Sequence, residues 1–196
     1  MFYGQNCSGR LGERKTIISV VGSKNDYSFV RFLNEFKLKK IKKELNEKHF
    51  SIALELAKNY DIKVSLAIIP SDQFGKWKAI LSDYKMWFSR LYGIICFKAL
   101  KPIIDKTVYL QMDREYDINT QLSAAEIVQK LSFDHNIRIG HNDIYIRKER
   151  ESPSARIIIA DLFARGCFRG FDCKPAIVNK KINIENEIKE IFGKIR

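Results

Sequence analysis

Two aspartates stand where this chain otherwise places apolar side chains. Asp113 ends the run Thr107-Val108-Tyr109-Leu110-Gln111-Met112, and Asp161 follows Arg156-Ile157-Ile158-Ile159-Ala160. A carboxylate at the end of a buried strand, or inside an apolar helix, is costly to desolvate unless a cation or hydrogen-bond donors compensate it. Asp113, Glu115 and Asp117 alternate along the chain, so an extended backbone turns all three to one side. Carboxylates that converge on two cations roughly 4 Å apart serve phosphodiester cleavage: one ion activates the attacking water, the other stabilises the leaving oxygen. Mg²⁺ keeps several of its waters, so a sparse acidic set suffices, and Mg²⁺ or Mn²⁺ is the cofactor to expect. Asp113 and Asp161 are the candidate catalytic pair, with Glu115 a further candidate ligand. Simpler roles stay open for each. Asp113 can cap a turn or pair with Arg114 or a nearby lysine, Asp161 can pair with Arg165 one helical turn on, and Glu115 can be a solvated turn residue.

The surroundings of these acids are basic. Thirty-five Lys and Arg against 23 Asp and Glu give the 196-residue chain a formal charge of +12. Such an excess attracts polyanions, most simply RNA or DNA, through phosphate contacts and counterion release; a lysine-rich surface without a ligand is the bland alternative. The length suits one substantial domain. The longest uncharged apolar run, Leu91 to Phe97, is far short of the roughly 20 residues of a membrane helix, and no basic-then-apolar leader follows Met1. Cys7, Cys96, Cys167 and Cys173 form no Cys-x-x-Cys pair and have only three histidines to assist them. A zinc site is not expected, and scattered thiols suit a reducing, cytoplasmic setting.

Five strands are expected to hold the acids. They are Phe2–Gln5, Lys15–Val21 closing at Gly22, Ile62–Ile69 closed by Pro70, Val108–Met112, and a strand within Asn136–Ile146 interrupted near Gly140. Asn6-Cys7-Ser8-Gly9 reads as a turn after the first strand. Leu38, Ile41, Leu45, Ile52 and Leu56 form a helical stripe whose opposite, mixed-charge side reads as solvated. Trp77 to Ile95 is an amphipathic helix ending before Pro102, its aromatics at core spacing. Ser123-Ala124-Ala125-Glu126 resembles a capping box, and Ser152-Pro153-Ser154 starts a last helix that runs to about Arg169, before Gly170. The domain spans residues 1–173, followed by a basic, weakly helical tail over 174–196. Strand pairs followed by strand–helix alternation specify one α/β domain with a mixed sheet.

Taken in order, Asn6-Cys7-Ser8-Gly9, the strand to Gly22, Asp113, and Ile159-Ala160-Asp161-Leu162 with trailing Arg165 and Arg169 resemble the domain of unknown function 3800 family. The resemblance spans roughly Phe2 to Phe171. Ser8, Gly9, Asp113, Ala160 and Asp161 match its motifs, while Asn6, Cys7 and Ile158 stand where the family has Asp, Glu and Gln. It implies a ribonuclease H-like fold with a mixed five-stranded sheet flanked by helices, and the chemistry of a metal-dependent nuclease. On that pattern Asp113, Asp161 and Asn6 fall at the metal site, and Arg165 and Arg169 on the same helix can hold phosphates. The neutral Asn6 opens a second outcome, a non-catalytic ribonuclease H-like module that binds nucleic acid or a protein partner. A small-molecule-binding doubly wound domain ranks last, because the chain has no Gly-rich phosphate loop.

Overall fold

The computed structural model describes residues 1–8, 15–36, 45–70, 85–105, 107–114, 117–140, 143–172, 177–183 and 186–187. Its centre is a mixed sheet in the order β5-β4-β1-β2-β3-β6. Strands β1 (Phe2–Ser8), β2 (Thr16–Ser23) and β3 (Lys63–Ile69) form an antiparallel meander. Strands β4 (Tyr109–Met112) and β5 (Ile144–Ile146) add in parallel beside β1. The five expected strands are all present, and β1 and β4 are neighbours. A sixth, β6 (Ile177–Lys181), runs parallel to β3 where the sequence suggests weak helix; Ile177 and Val178 give it the β-branched start of an edge strand.

Each face of the sheet is covered. Helices α3 (Lys85–Leu100) and α4 (Ile118–Asp134) pack with Tyr3, Ile18, Val20, Tyr92, Leu110 and Met112 on one side. Helices α1 (Tyr27–Phe36), α2 (Glu47–Asn59) and α5 (Ala155–Phe168) pack with Ile17, Val21, Val64 and Leu66 on the other. The alternation along β2 that sends Ile18 and Val20 one way and Ile17 and Val21 the other follows from the strand period of two.

Several expectations change for local reasons. Asn6, Cys7 and Ser8 are not a turn: they pair with Ser19, Ile18 and Ile17, so ladder hydrogen bonds prevail over their turn preference. Asn46 caps α2, its side chain accepting the His49 N–H at 2.9 Å, so Leu45 precedes the helix and Ile52 falls on the exposed side. Leu38 and Ile41, and likewise Trp77, lie outside the described residues. Asp117 caps helix α4, its carboxylate accepting the Thr120 N–H at 3.1 Å and the Thr120 hydroxyl at 2.6 Å. Ser123 therefore lies inside the helix rather than at its cap, and Asp117 is a cap rather than a companion of Asp113. Cys7 and Cys96 are buried thiols, whereas Cys167 is disulfide-bonded, so the cysteines are not all reduced. No helix among the described residues is long and apolar enough to cross a membrane.

Helix α5 matches its expected span. Ser154 caps it, and its hydroxyl reaches Gln111 on β4. Gly170, at φ +85°, ends it in the left-handed conformation that favours glycine. The start of α5 lies directly on β1 at Gly4, where an added Cβ would meet the Arg156 backbone carbonyl carbon at 2.5 Å. Glycine at this position sets how closely α5 approaches the sheet.

Candidate functional site

Strand register builds the site. Gln5 pairs with Met112 and Met112 with Ile146 across three parallel strands. One residue further on, the pattern continues: the Asp113 N–H donates to the Gln5 carbonyl and the Arg147 N–H to the Met112 carbonyl, both at 3.0 Å. Asn6, Asp113 and Arg147 thus stand side by side at the ends of β1, β4 and β5. On the other flank Asn6 pairs with Ser19 of β2. Four polar side chains, Arg147, Asp113, Asn6 and Ser19, make a row on the face that α5 covers. The carboxyl ends of parallel strands are where open α/β sheets place their ligand sites.

Hydrogen bonds join most of this row. The Asn6 amide donates from Nδ2 to Asp113 Oδ2 at 2.7 Å. Asp113 Oδ1 accepts the Arg114 N–H at 3.0 Å and Arg147 Nε–H at 2.5 Å. Arg147 also donates from Nη1 to the Glu151 carbonyl at 2.7 Å. Below, Gln121 Nε2 holds the Asp113 carbonyl at 2.9 Å. Two polar atoms are left over: Asn6 Oδ1 and Ser19 Oγ are buried without a hydrogen-bond partner among the described residues, Asn6 being only 3 % exposed. A buried acceptor without a donor costs about 1–3 kcal/mol, which a bound water or ligand relieves.

Helix α5 supplies the rest. Asp161 and Arg165 face the row across a polar cleft of about 560 Å³, which Arg169 also lines. Arg165 Nε donates to Asp161 Oδ1 at 2.7 Å, so the i,i+4 pair is formed. Arg169 donates from Nη1 to the Leu45 carbonyl at 2.5 Å, which ties the approach to α2 to this end of α5. Among the described residues, three arginines and two aspartates are the charged groups of the cleft.

The structure therefore brings Asn6, Asp113, Asp161, Arg165 and Arg169 into one cleft. Glu115 lies outside the described residues. Arg147 and Ser19 are the residues that sequence patterns miss. Arg147 follows Ile144-Tyr145-Ile146 as Asp113 follows its own strand, a signal that becomes readable only once the register is known.

As arranged, these residues do not fit a divalent cation. Both Asp113 oxygens are taken by N–H donors, and the Arg147 guanidinium lies where it repels a second cation. Among the described residues, no three His, Cys, Asp or Glu side chains are grouped to hold a metal.

The two acids of the cleft differ in what they contribute to stability. The Asp113–Arg147 pair is largely buried, with side chains 13 % and 20 % exposed. Asp113→Ala leaves Arg147 without its carboxylate and should cost about 3 kcal/mol. Asp161→Ala removes a pair whose arginine is 50 % exposed and should cost under about 1 kcal/mol. Urea unfolding of the two variants checks the difference.

The turn that carries Arg147 is held by Glu151, whose carboxyl lies below the usual glutamate range. The Tyr145 hydroxyl hydrogen bond lowers it most, followed by the Lys148 N–H. A lowered folded-state pKa means the stabilisation is present above the usual glutamate range and lost as pH falls through the folded value. The Lys148 amide resonance should accordingly titrate below that range in NMR spectra, and Glu151→Gln should abolish this step.

No family model matches the sequence, and no curated protein sequence matches it significantly. Among solved structures, the fold is similar to a chain in the PCNA:RNase HII complex from Archaeoglobus fulgidus, with a TM-score of 0.54. The match covers 98 % of this chain and 77 % of that one, at 11 % sequence identity. The fold is ribonuclease H-like. At this identity the likeness extends to the arrangement of strands and helices and does not assign the cleft its chemistry.

Proposed function

We propose that this protein is a ribonuclease H-like module that binds nucleic acid, gripping the phosphate backbone in the cleft between the β1/β4/β5 strand ends and α5. One observation carries the reading: the described cleft residues hold three arginines against two aspartates, a positive balance supplied by side chains alone. Arg165 is half exposed, and its Nη atoms make no hydrogen bond among the described residues. A guanidinium in that state suits bidentate contact with a phosphate. The charge of +12 supplies the long-range attraction. On this reading the chain is a divergent relative of the domain of unknown function 3800 family, with a domain that reaches past residue 173 to include β6.

The second reading is a Mg²⁺- or Mn²⁺-dependent nuclease with Asp113 and Asp161 as its acids. The unpartnered Asn6 Oδ1 favours it, because a neutral oxygen beside a carboxylate is a usable ligand. It requires Arg147 to leave Asp113.

A parallel screen separates the two readings. Labelled RNA, DNA and RNA–DNA hybrid are incubated with the protein in EDTA, Mg²⁺ or Mn²⁺, with binding followed by anisotropy and cleavage on gels. Binding in EDTA without cleavage in any metal supports the binding module. Metal-dependent cleavage abolished by Asp113→Asn and Asp161→Asn establishes the nuclease instead. No binding at low salt points to a protein partner.

A further inference from the structure

The neutral Asn6 and the nearby Arg147 explain one another. A carboxylate at position 6 would stand against Asp113 with no N–H to donate, setting two negative charges beside one guanidinium. Asparagine instead donates from Nδ2 to Asp113, leaving one carboxylate opposite one guanidinium, and the charges balance.

We propose that the Arg147 guanidinium is a built-in substitute for a divalent cation, giving this cleft a permanent, metal-independent anion site in which Asp113 orients the arginine rather than binding metal. Its geometry suits that role. Nε is committed to Asp113 and Nη1 to the Glu151 carbonyl, which fixes the plane of the group. Nη2 has no hydrogen-bond partner among the described residues and remains to donate to a phosphate or carboxylate oxygen. An arginine stays charged throughout the accessible pH range and cannot be removed by a chelator. Next to it, the buried Asn6 Oδ1 is left to accept a hydrogen bond from the ligand or its water. The inference concerns the cation position alone and does not depend on the ligand being nucleic acid.

Mn²⁺ alone tests it, by calorimetry and electron paramagnetic resonance on the full chain without nucleic acid. The wild type should show no Mn²⁺ binding at about 1 mM that Asp113→Asn removes. The double variant Asn6→Asp/Arg147→Ala restores one charge and removes the competing guanidinium, and should bind Mn²⁺ at least about tenfold more tightly than wild type. Adding Asp113→Asn to that double variant should remove the gain. Wild-type Mn²⁺ binding that depends on Asp113 would overturn the proposal, as would a folded double variant that binds no better than wild type. If circular dichroism shows that the double variant does not fold, the comparison of wild type with Asp113→Asn still decides. Because the readout is metal binding, its failure leaves the nucleic-acid reading to be judged by its own screen.

Discussion

Arg165→Glu should weaken nucleic-acid binding by about tenfold or more at low salt, a larger loss than any other single exposed charge in the cleft should give. The substitution removes a half-exposed guanidinium, sets a second carboxylate beside Asp161, and turns the described cleft residues from net positive to net negative. Removing one phosphate-binding cation should also flatten the dependence of log affinity on log salt by about one. Arg165→Lys should recover the salt slope but only part of the affinity, since lysine keeps the charge without the fork. Anisotropy titrations of the three proteins at several salt concentrations check both effects. Arg165 is exposed and stabilises little, so thermal unfolding should hardly change.

Gly4→Ala should cost about 3 kcal/mol, among the largest effects expected of any single methyl in the chain. The new Cβ would meet the carbonyl carbon and Cβ of Arg156 at 2.5 Å and the carbonyl oxygen at 2.7 Å. Two of these are backbone atoms, so no rotamer change relieves the contact and α5 must move away from β1. The same movement would carry Asp161 and Arg165 away from Asn6 and Asp113. Destabilisation in urea and a fall in nucleic-acid affinity should therefore appear together. A variant with full stability would mean that α5 does not rest on β1 as described.

Much of the scaffold was legible because its signals are local. The apolar runs at Thr16–Ser23, Lys63–Ile69 and Tyr109–Met112 announce strands, and Ser154 and Gly170 bracket α5 with a cap and a left-handed stop. The neighbouring positions of β1 and β4, which place Asn6 beside Asp113, agree with the mixed sheet expected from the order of strands and helices. What was not legible depends on partners distant in sequence. Asn6, Cys7 and Ser8 have turn composition, and only pairing with Ser19, Ile18 and Ile17 makes them strand. Arg147 is 34 residues from Asp113, and nothing near it in the chain marks it as a carboxylate's counter-ion. The same long-range pairing changes the chemistry of the site. An aspartate at the end of an apolar strand calls for compensation, and a guanidinium meets that need as well as a metal does. β6 escaped detection because a parallel edge strand takes its register from β3 rather than from its own sequence.

The most direct measurement is the affinity of the wild-type protein for a labelled oligonucleotide across a range of salt, once in EDTA and once in Mg²⁺. The expected result is binding in both, with log affinity falling as log salt rises in EDTA and no requirement for Mg²⁺, because arginines rather than a bound ion meet the phosphates. Binding that vanishes in EDTA and returns with Mg²⁺ would contradict the account and move the role of Asp113 from orienting Arg147 to holding a metal.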